Sequence, residues 1–471
     1  MPTDDTSHAG HGAAHAPPQR PTPTGALREG HAEMPMAQEG MAHGGAVWPH
    51  VANMSLGLWL MTGAAAMGAP ILGLRLSDLT SGALVFLLAL LSVSSRPVFK
   101  FWAPWANSLV GVWLLFAPIV FWARAAEYTN DTLVGTLVIV FAILAPGMPG
   151  MRMLPGPDAP PGWSYNPSSW PQRAPIIALA LVGFFLSRHM TAFQLEHITS
   201  LRDLFFGSGT ERVLTSDVSR AFPIPDAGLG AVAYMIEFLM GFMGDKYRWR
   251  TMPWMVMFFG ILVVPLGVVS ITLVALQPIA VGAWCTPCLI AAAAMLIMVS
   301  LTLDEVVAMG EFLVLARREG QPLWRTFWAG GTLRDASAQG AVGVRPDVVS
   351  AAATVWGVTL PWNLLVSIGL GLWLMLAPSV LGTLAPAAHS DHLLGALIVT
   401  VATIALADVG RATRFVNVVL GAWVMVSPWL LAGAIASAVW NDAIAGALVI
   451  LLSVPRGRIG ERYGAFERFI R

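Results

Sequence analysis

The sequence predicts an all-α integral membrane protein of about twelve transmembrane helices, with a central unit flanked by two pairs of helical hairpins. Three observations predict it. The 471 residues are 56% hydrophobic and 11% charged, with a mean hydropathy of +0.67, whereas a soluble chain carries roughly 25% charged residues. Apolar stretches recur along the chain, and with their flanks each approaches the roughly 20 residues a helix needs to cross a bilayer. A Gly-x-Trp pattern returns four times in one register.

The apolar stretches run Met54 to Leu72, Gly82 to Val93, Ser108 to Trp122, Leu133 to Leu144, Ala174 to Leu186, Leu229 to Met243, Trp254 to Leu273 and Ile290 to Leu301. After a polar gap they resume at Leu364 to Leu376, Leu393 to Ala405, Val416 to Leu431 and Ile444 to Leu452. Formal net charge is zero, which argues against nucleic acid as a partner; membrane lipid is the expected surrounding. Residues 1–47 are polar and lack a signal-peptide pattern. Arg and Lys concentrate on one set of connections, among them Arg96, Lys100, Lys246, Arg248, Arg250, Arg317, Arg318, Arg411 and Arg456. The positive-inside rule makes these cytoplasmic, with both termini. The loop from about Arg188 to Asp226 also carries Arg202, Arg212 and Arg220, but Asp203, Glu211 and Asp217 alternate with them.

The repeat centres on Gly57-Leu58-Trp59, Gly111-Val112-Trp113, Gly371-Leu372-Trp373 and Gly421-Ala422-Trp423. Asn53, Asn107, Ser367 and Asn417 precede each Gly by four. Asp78, Asp131, Asp391 and Asp442 follow, each with a Gly four residues later: Gly82, Gly135, Gly395 and Gly446. Each repeat reads as a helical hairpin whose small residues let backbones approach closely in lipid. The Asp residues admit two readings, a helix cap or an intramembrane proton path; the cap is the expectation. These segments resemble the SPW repeat, a bacterial membrane module, whose name survives in full only at Ser427-Pro428-Trp429.

The chain thus divides into a His/Met-rich tail at 1–47, two hairpins at 48–147, and a Pro-rich linker at 148–171. A central unit follows at 172–316, then a polar cytoplasmic linker at 317–355, two hairpins at 356–455 and a basic cytoplasmic tail at 456–471. The central unit holds Trp284-Cys285-Thr286-Pro287-Cys288, the only two cysteines of the chain, at the start of an apolar helix. Three-residue spacing there puts both sulfurs within bridging distance, and a helix N-terminus lowers a thiol pKa. Pro287 is tolerated in a first turn. A structural pair and a metal site with His189 or His197 are the other readings. Zinc would need two more ligands, and a redox pair is favoured.

The central unit resembles the vitamin K epoxide reductase family, a four-helix membrane fold. The residues that carry the likeness are the CxxC, Val213-Leu214-Thr215-Ser216, Ile224-Pro225, Gly230 and Tyr234. The resemblance implies a quinone, ubiquinone or menaquinone, held beside the CxxC, with Cys285 the membrane-distal member and Cys288 facing the quinone. Asp226 falls where the family can place a polar quinone contact, although a helix cap accounts for it too. It also implies an extracytoplasmic thioredoxin-like or substrate thiol protein as partner. The family usually has two further loop cysteines; the nearer falls at Thr210 and the other has no Cys counterpart. A partner must therefore react with Cys285 directly, or activity is lost.

In the tail, His8, His11, His15, His31 and His43 with Met34, Met36 and Met41 form a candidate copper-binding set, since imidazole and thioether suit that metal. The expected function is a quinone-dependent thiol–disulfide oxidoreductase of the bacterial cytoplasmic membrane. The alternatives are a non-catalytic scaffold around a decayed redox unit and a copper-handling membrane protein.

Overall fold

A chain in lipid must satisfy its backbone internally, so apolar stretches become helices. The computed structural model describes residues 47–66, 71–94, 96–144, 156–333, 344–345 and 350–470. Twelve long helices stand where the sequence places about twelve spans. They are α1 (Trp48–Ala66), α2 (Leu72–Ser92), α3 (Pro97–Val120), α4 (Ala125–Ile143), α5 (Trp170–Gln194), α6 (Asp226–Phe242), α7 (Pro253–Leu276), α8 (Thr286–Arg318), α9 (Trp362–Leu381), α10 (Ala387–Ile404), α11 (Val416–Leu430) and α12 (Ala436–Ser453). Among the described residues, nine are long and apolar enough to cross a membrane. The other three, α1, α4 and α6, have 17 to 19 residues and pack against those nine. The described residues contain no β-strand.

Helices α1–α4 form one four-helix unit and α9–α12 another, each closed by contacts between its two hairpins. Helices α5–α8 form the central bundle. The first unit lies against α6, the second against α7 and α8.

Glycine sets the hairpin crossings. A Cβ on Gly57 would meet the Gly82 carbonyl oxygen at 2.6 Å. Gly111 and Gly135 stand in the same relation at 2.9 Å, and Gly371 with Gly395 and Gly421 with Gly446 each at 2.8 Å. The four-residue offset of Gly from Asp thus marks the place where two backbones touch.

The repeat tryptophans tie the two hairpins of each unit together. Trp59 Nε1 donates to Asn130 Oδ1 at 2.9 Å and Trp113 Nε1 to Ser77 Oγ at 2.9 Å. Trp373 Nε1 donates to Asn441 Oδ1 at 2.8 Å and Trp423 Nε1 to Ser390 Oγ at 3.3 Å. Each Trp thus bonds the residue before the repeat Asp of the other hairpin in its unit. The exchange is reciprocal, so each four-helix unit is a pseudo-symmetric pair of hairpins.

The cap expectation for the four Asp residues is corrected. The helices begin earlier, after Ile71, Arg124, Pro386 and Ile435, so each Asp falls inside its helix, where the N–H groups are already bonded. All four are buried. Asp131 and Asp442 instead accept from the neighbouring Asn130 and Asn441 amides.

The described part of the Pro-rich segment is packed. Trp163 Nε1 donates to Glu311 Oε2 at 2.8 Å and Tyr165 OH donates to Asp304. Trp163 also forms a bridge to Tyr463 of the C-terminal segment.

If the crossings set stability, Gly421→Val should destabilise the protein by about 1–3 kcal/mol, the usual cost of overpacking. Gly369→Ala, at a helical position with open space around it, should be neutral or mildly stabilising. Thermal unfolding in detergent distinguishes them, and equal melting temperatures would refute the role of the crossings.

Candidate functional site

The chain enters α8 through a tight approach. A π-helical turn at Gln277–Val281 ends at Gly282, whose φ of 64° is left-handed. Gln277 folds back so that its Oε1 accepts from Cys285 N at 2.9 Å. Cys285 is the N-cap of α8, and its Sγ accepts from Cys288 N at 3.3 Å. Cys285 and Cys288 are joined by a disulfide, with Cα atoms 5.3 Å apart, within the range for such bonds.

The two sulfurs face different surroundings. Cys288 is half-buried, its Sγ lies 3.5 Å from Met190 Sδ, and it lines a cavity of about 120 Å³. Cys285 is 0% exposed and packs among Met190, Leu201, Leu214 and Ala227. Cys285 opens α8 ahead of Cys288, but it is not open to water: the loop between α5 and α6 covers it.

That loop is fastened at Asp203. Its Oδ2 accepts from Thr286 N at 2.8 Å, and its carboxylate also accepts from the Thr286 and Thr210 hydroxyls. The Phe205 and Phe206 N–H groups add two bonds to Oδ1, each 2.9 Å. Asp203 thus caps α8 from a distant part of the chain. Gly209, opening the short helix Gly209–Leu214, is pressed against the Trp284 carbonyl so closely that any Cβ there would collide. Burial pushes the Asp203 carboxyl pKa up, but the bonds from Thr210, Thr286 and Phe205 outweigh it and hold the group below the usual carboxylate range.

Asp226 opens α6 and lines the same cavity as Cys288. Its Oδ1 accepts from Ser219 Oγ at 2.8 Å, Gln194 Nε2 at 2.5 Å and Ala227 N at 2.8 Å. It is both an acid at a helix start and a cavity wall. Tyr234, about two helical turns further along the cavity, donates its hydroxyl to Ala291 O at 2.7 Å. Gly230 keeps the wall open, since a Cβ there would meet Ser187 Oγ at 3.2 Å.

The metal reading of the cysteines is not assembled. His189 is exposed and His197 Nε2 donates to Ala123 O at 2.8 Å. Among the described residues no group of three His, Cys, Asp or Glu could hold a metal. The tail residues proposed for copper, His8, His11, His15, His31, His43, Met34, Met36 and Met41, lie outside the described residues. Sequence reading passed over Asp203, Gln277 and Met190. Of these only Gln277, a polar residue closing an apolar span, carried a local signal.

Residues 174–303 match the vitamin K epoxide reductase family, and residues 47–145 and 361–455 match the SPW repeat domain. No curated protein and no solved structure matches the chain.

If Asp203 holds the loop shut, Asp203→Ala should speed reduction of the disulfide by a soluble phosphine about tenfold or more. Tenfold corresponds to about 1.4 kcal/mol, less than the roughly 1.5–3 kcal/mol of a charged hydrogen bond. Because the Asp203 pKa is lowered in the folded state, the clamp is present at neutral pH and is lost as pH falls through that lowered value. In strong acid the wild type should approach the variant. Thiol alkylation followed by mass measurement gives the rates, and identical rates at neutral pH exclude the clamp.

Proposed function

We propose that this chain, a vitamin K epoxide reductase family region set between SPW repeat domains, is a membrane oxidoreductase that couples thiol–disulfide exchange at Cys285–Cys288 to reduction of a membrane quinone. The observation that carries the reading is the placement of one disulfide between the loop joining α5 to α6 and a cavity, with a different sulfur toward each.

A quinone head group fits the residues present. Met190, Leu273 and Val274 supply apolar walls, Ala291 and Ala292 are small, and Asp226, Ser187 and Tyr234 supply polar groups at the edge. When bound, a quinone supplies an acceptor for two electrons and two protons. The chain's own residues do the exchange. With the loop displaced, a partner thiolate attacks Cys285 Sγ; the Cys285–Cys288 bond breaks and its electron pair goes to Cys288 Sγ at the cavity. A second partner thiolate then attacks the partner sulfur of the mixed disulfide. Cys285 leaves as a thiolate that accepts the Cys288 N–H, the bond its Sγ already makes. That N–H is directed at Cys285, so it supports the second step and not the release of Cys288.

No loop cysteine exists to relay electrons, because Cys285 and Cys288 are the only two in the chain. The partner, an extracytoplasmic thioredoxin-like or substrate thiol protein, therefore meets Cys285 itself. The same fact favours the scaffold reading, in which the pair no longer turns over. In the oxidoreductase reading the chain sits in the bacterial cytoplasmic membrane with both termini inside. Reporter fusions at Gly320 and Ala385 should then report the cytoplasmic and opposite sides; the same side for both refutes this topology.

Purified protein given a short-chain ubiquinone or menaquinone analogue and dithiothreitol should reduce the quinone, and Cys285→Ser or Cys288→Ser should abolish it. With glutathione disulfide as probe, Cys288→Ser should accumulate an adduct at Cys285, since no second thiol remains to displace it. Absence of both turnover and adduct leaves the scaffold.

A further inference from the structure

We infer that Glu237, a carboxylic acid inside the central bundle, is the proton reservoir for the Cys288 cavity and delivers its proton through the Tyr234 hydroxyl. The inference rests on the oxidoreductase reading above and supplies what that reading lacks, a proton source at the cavity.

Glu237 is 0% exposed, and neither of its side-chain oxygens has a hydrogen-bond partner. Helix α6 explains its position. Gly230 faces Ser187, Tyr234 lies across Gly183, and a Cβ on Gly241 would meet Ile177 at 2.5 Å; all three partners are on α5. Residues 230, 234, 237 and 241 follow helical spacing, so Glu237 lies on this stripe one turn beyond Tyr234, at a level between Gly183 and Ile177. The side chains around that level are apolar: Ile176, Ala180, Phe184 and Leu239 are buried in one core. A carboxylate without a partner in such a core is too costly to persist, so the neutral acid is the form the site holds. Intramembrane acids are rare, and proton relays are among the functions they mark. Tyr234 is the only polar side chain on the stripe between Glu237 and the cavity wall, which it shares with Cys288.

The step balances. Reoxidation of a Cys285 thiol and a Cys288 thiolate to the disulfide releases two electrons and one proton. A quinone accepting two electrons needs two protons. The Cys285 thiol supplies one. Tyr234 turns its hydroxyl from Ala291 O into the cavity and gives the second, while Glu237 replaces the proton on Tyr234. Each partner dithiol releases two protons as it is oxidised. One returns to Cys285 and the other restores Glu237.

Three measurements test this on the full-length protein. The first is infrared spectroscopy without quinone. The wild type should show a carboxylic C=O band, shifted in deuterium oxide, that Glu237→Gln removes. The second compares the half-reactions. Glu237→Gln should slow reduction of a ubiquinone analogue on the order of 10²-fold, the usual contribution of a placed acid. Reduction of the Cys285–Cys288 disulfide by dithiothreitol should be unchanged, and Glu237→Asp should recover part of the loss. The third is the pH profile. The residual rate of Glu237→Gln should climb as pH falls, because solvent protons replace the missing acid, while the wild type stays flat. An unchanged quinone rate in Glu237→Gln, a missing band, or equal loss in both half-reactions overturns the inference and assigns Glu237 to packing. A wild type that exchanges thiols but reduces no quinone overturns the functional reading, and this inference with it.

Discussion

The ion pair between Arg248 and Glu305 is the interaction on which the rest of the central bundle depends. Arg248 is 1% exposed and Glu305 3%, with Nε and Oε1 2.5 Å apart. Neither charge can be buried alone, and removing one partner of such a pair costs about 3–5 kcal/mol. The pair joins several elements at once. Glu305 belongs to α8 and also accepts from Ser168, just ahead of α5. Arg248 sits between α6 and α7 and donates to Met240 O at the end of α6 at 2.9 Å. The height and rotation of α8 are thereby fixed at one end. About 26 Å of helix carries that constraint to Cys288, which is how one sulfur comes to face the cavity and not lipid.

The spans were legible because a bilayer imposes one simple demand, some twenty apolar residues per crossing. The repeat glycines were legible for a related reason. In lipid, packing and not water exclusion holds helices together, so positions where backbones touch tolerate no side chain and repeat in register. The cysteine pair stood out because cysteine occurs nowhere else. What the sequence concealed is tertiary. Asp203 lies 83 residues from Thr286 in the chain, and nothing in its neighbours marks it as the cap of α8. The repeat Asp residues misled because apolar cores were taken for helix lengths. The helices start a turn or more earlier, in segments such as Ala125-Ala126-Glu127-Tyr128 and Ala436-Ser437-Ala438.

The flanking units share a construction that explains why they come as pairs of hairpins. A single hairpin leaves the indole N–H of its Trp and its Asn or Ser with no partner in hydrocarbon, a cost of several kcal/mol for each unsatisfied group. Two hairpins satisfy each other reciprocally. The paired unit then presents helix faces to the central bundle. Leu115, Ile119 and Ile139 join the core of α5–α8 on one side, and Met375 and Ala396 join Ile271 and Leu296 on the other. The central bundle is therefore held laterally by two paired units and longitudinally by the Arg248–Glu305 pair.

That rigidity gives the loop over Cys285 its meaning. Everything beneath the disulfide is fixed: Gln277 holds the Cys285 amide, Met190 and Ala227 pack against the sulfurs, and α8 cannot slide. The covering segment is fastened by hydrogen bonds to a partly exposed carboxylate and a few apolar contacts from Leu201 and Leu214. A reagent can reach Cys285 only by displacing the weaker side, and the weaker side is the loop. A loop with its own cysteines could receive electrons while remaining closed. This one has none, so under the function proposed above exchange and opening would be one event, and a partner would have to supply contacts to replace those the loop gives up. Under that proposal, selectivity for a thiol partner would reside in what lifts the loop, and not in the reactivity of the sulfur beneath it.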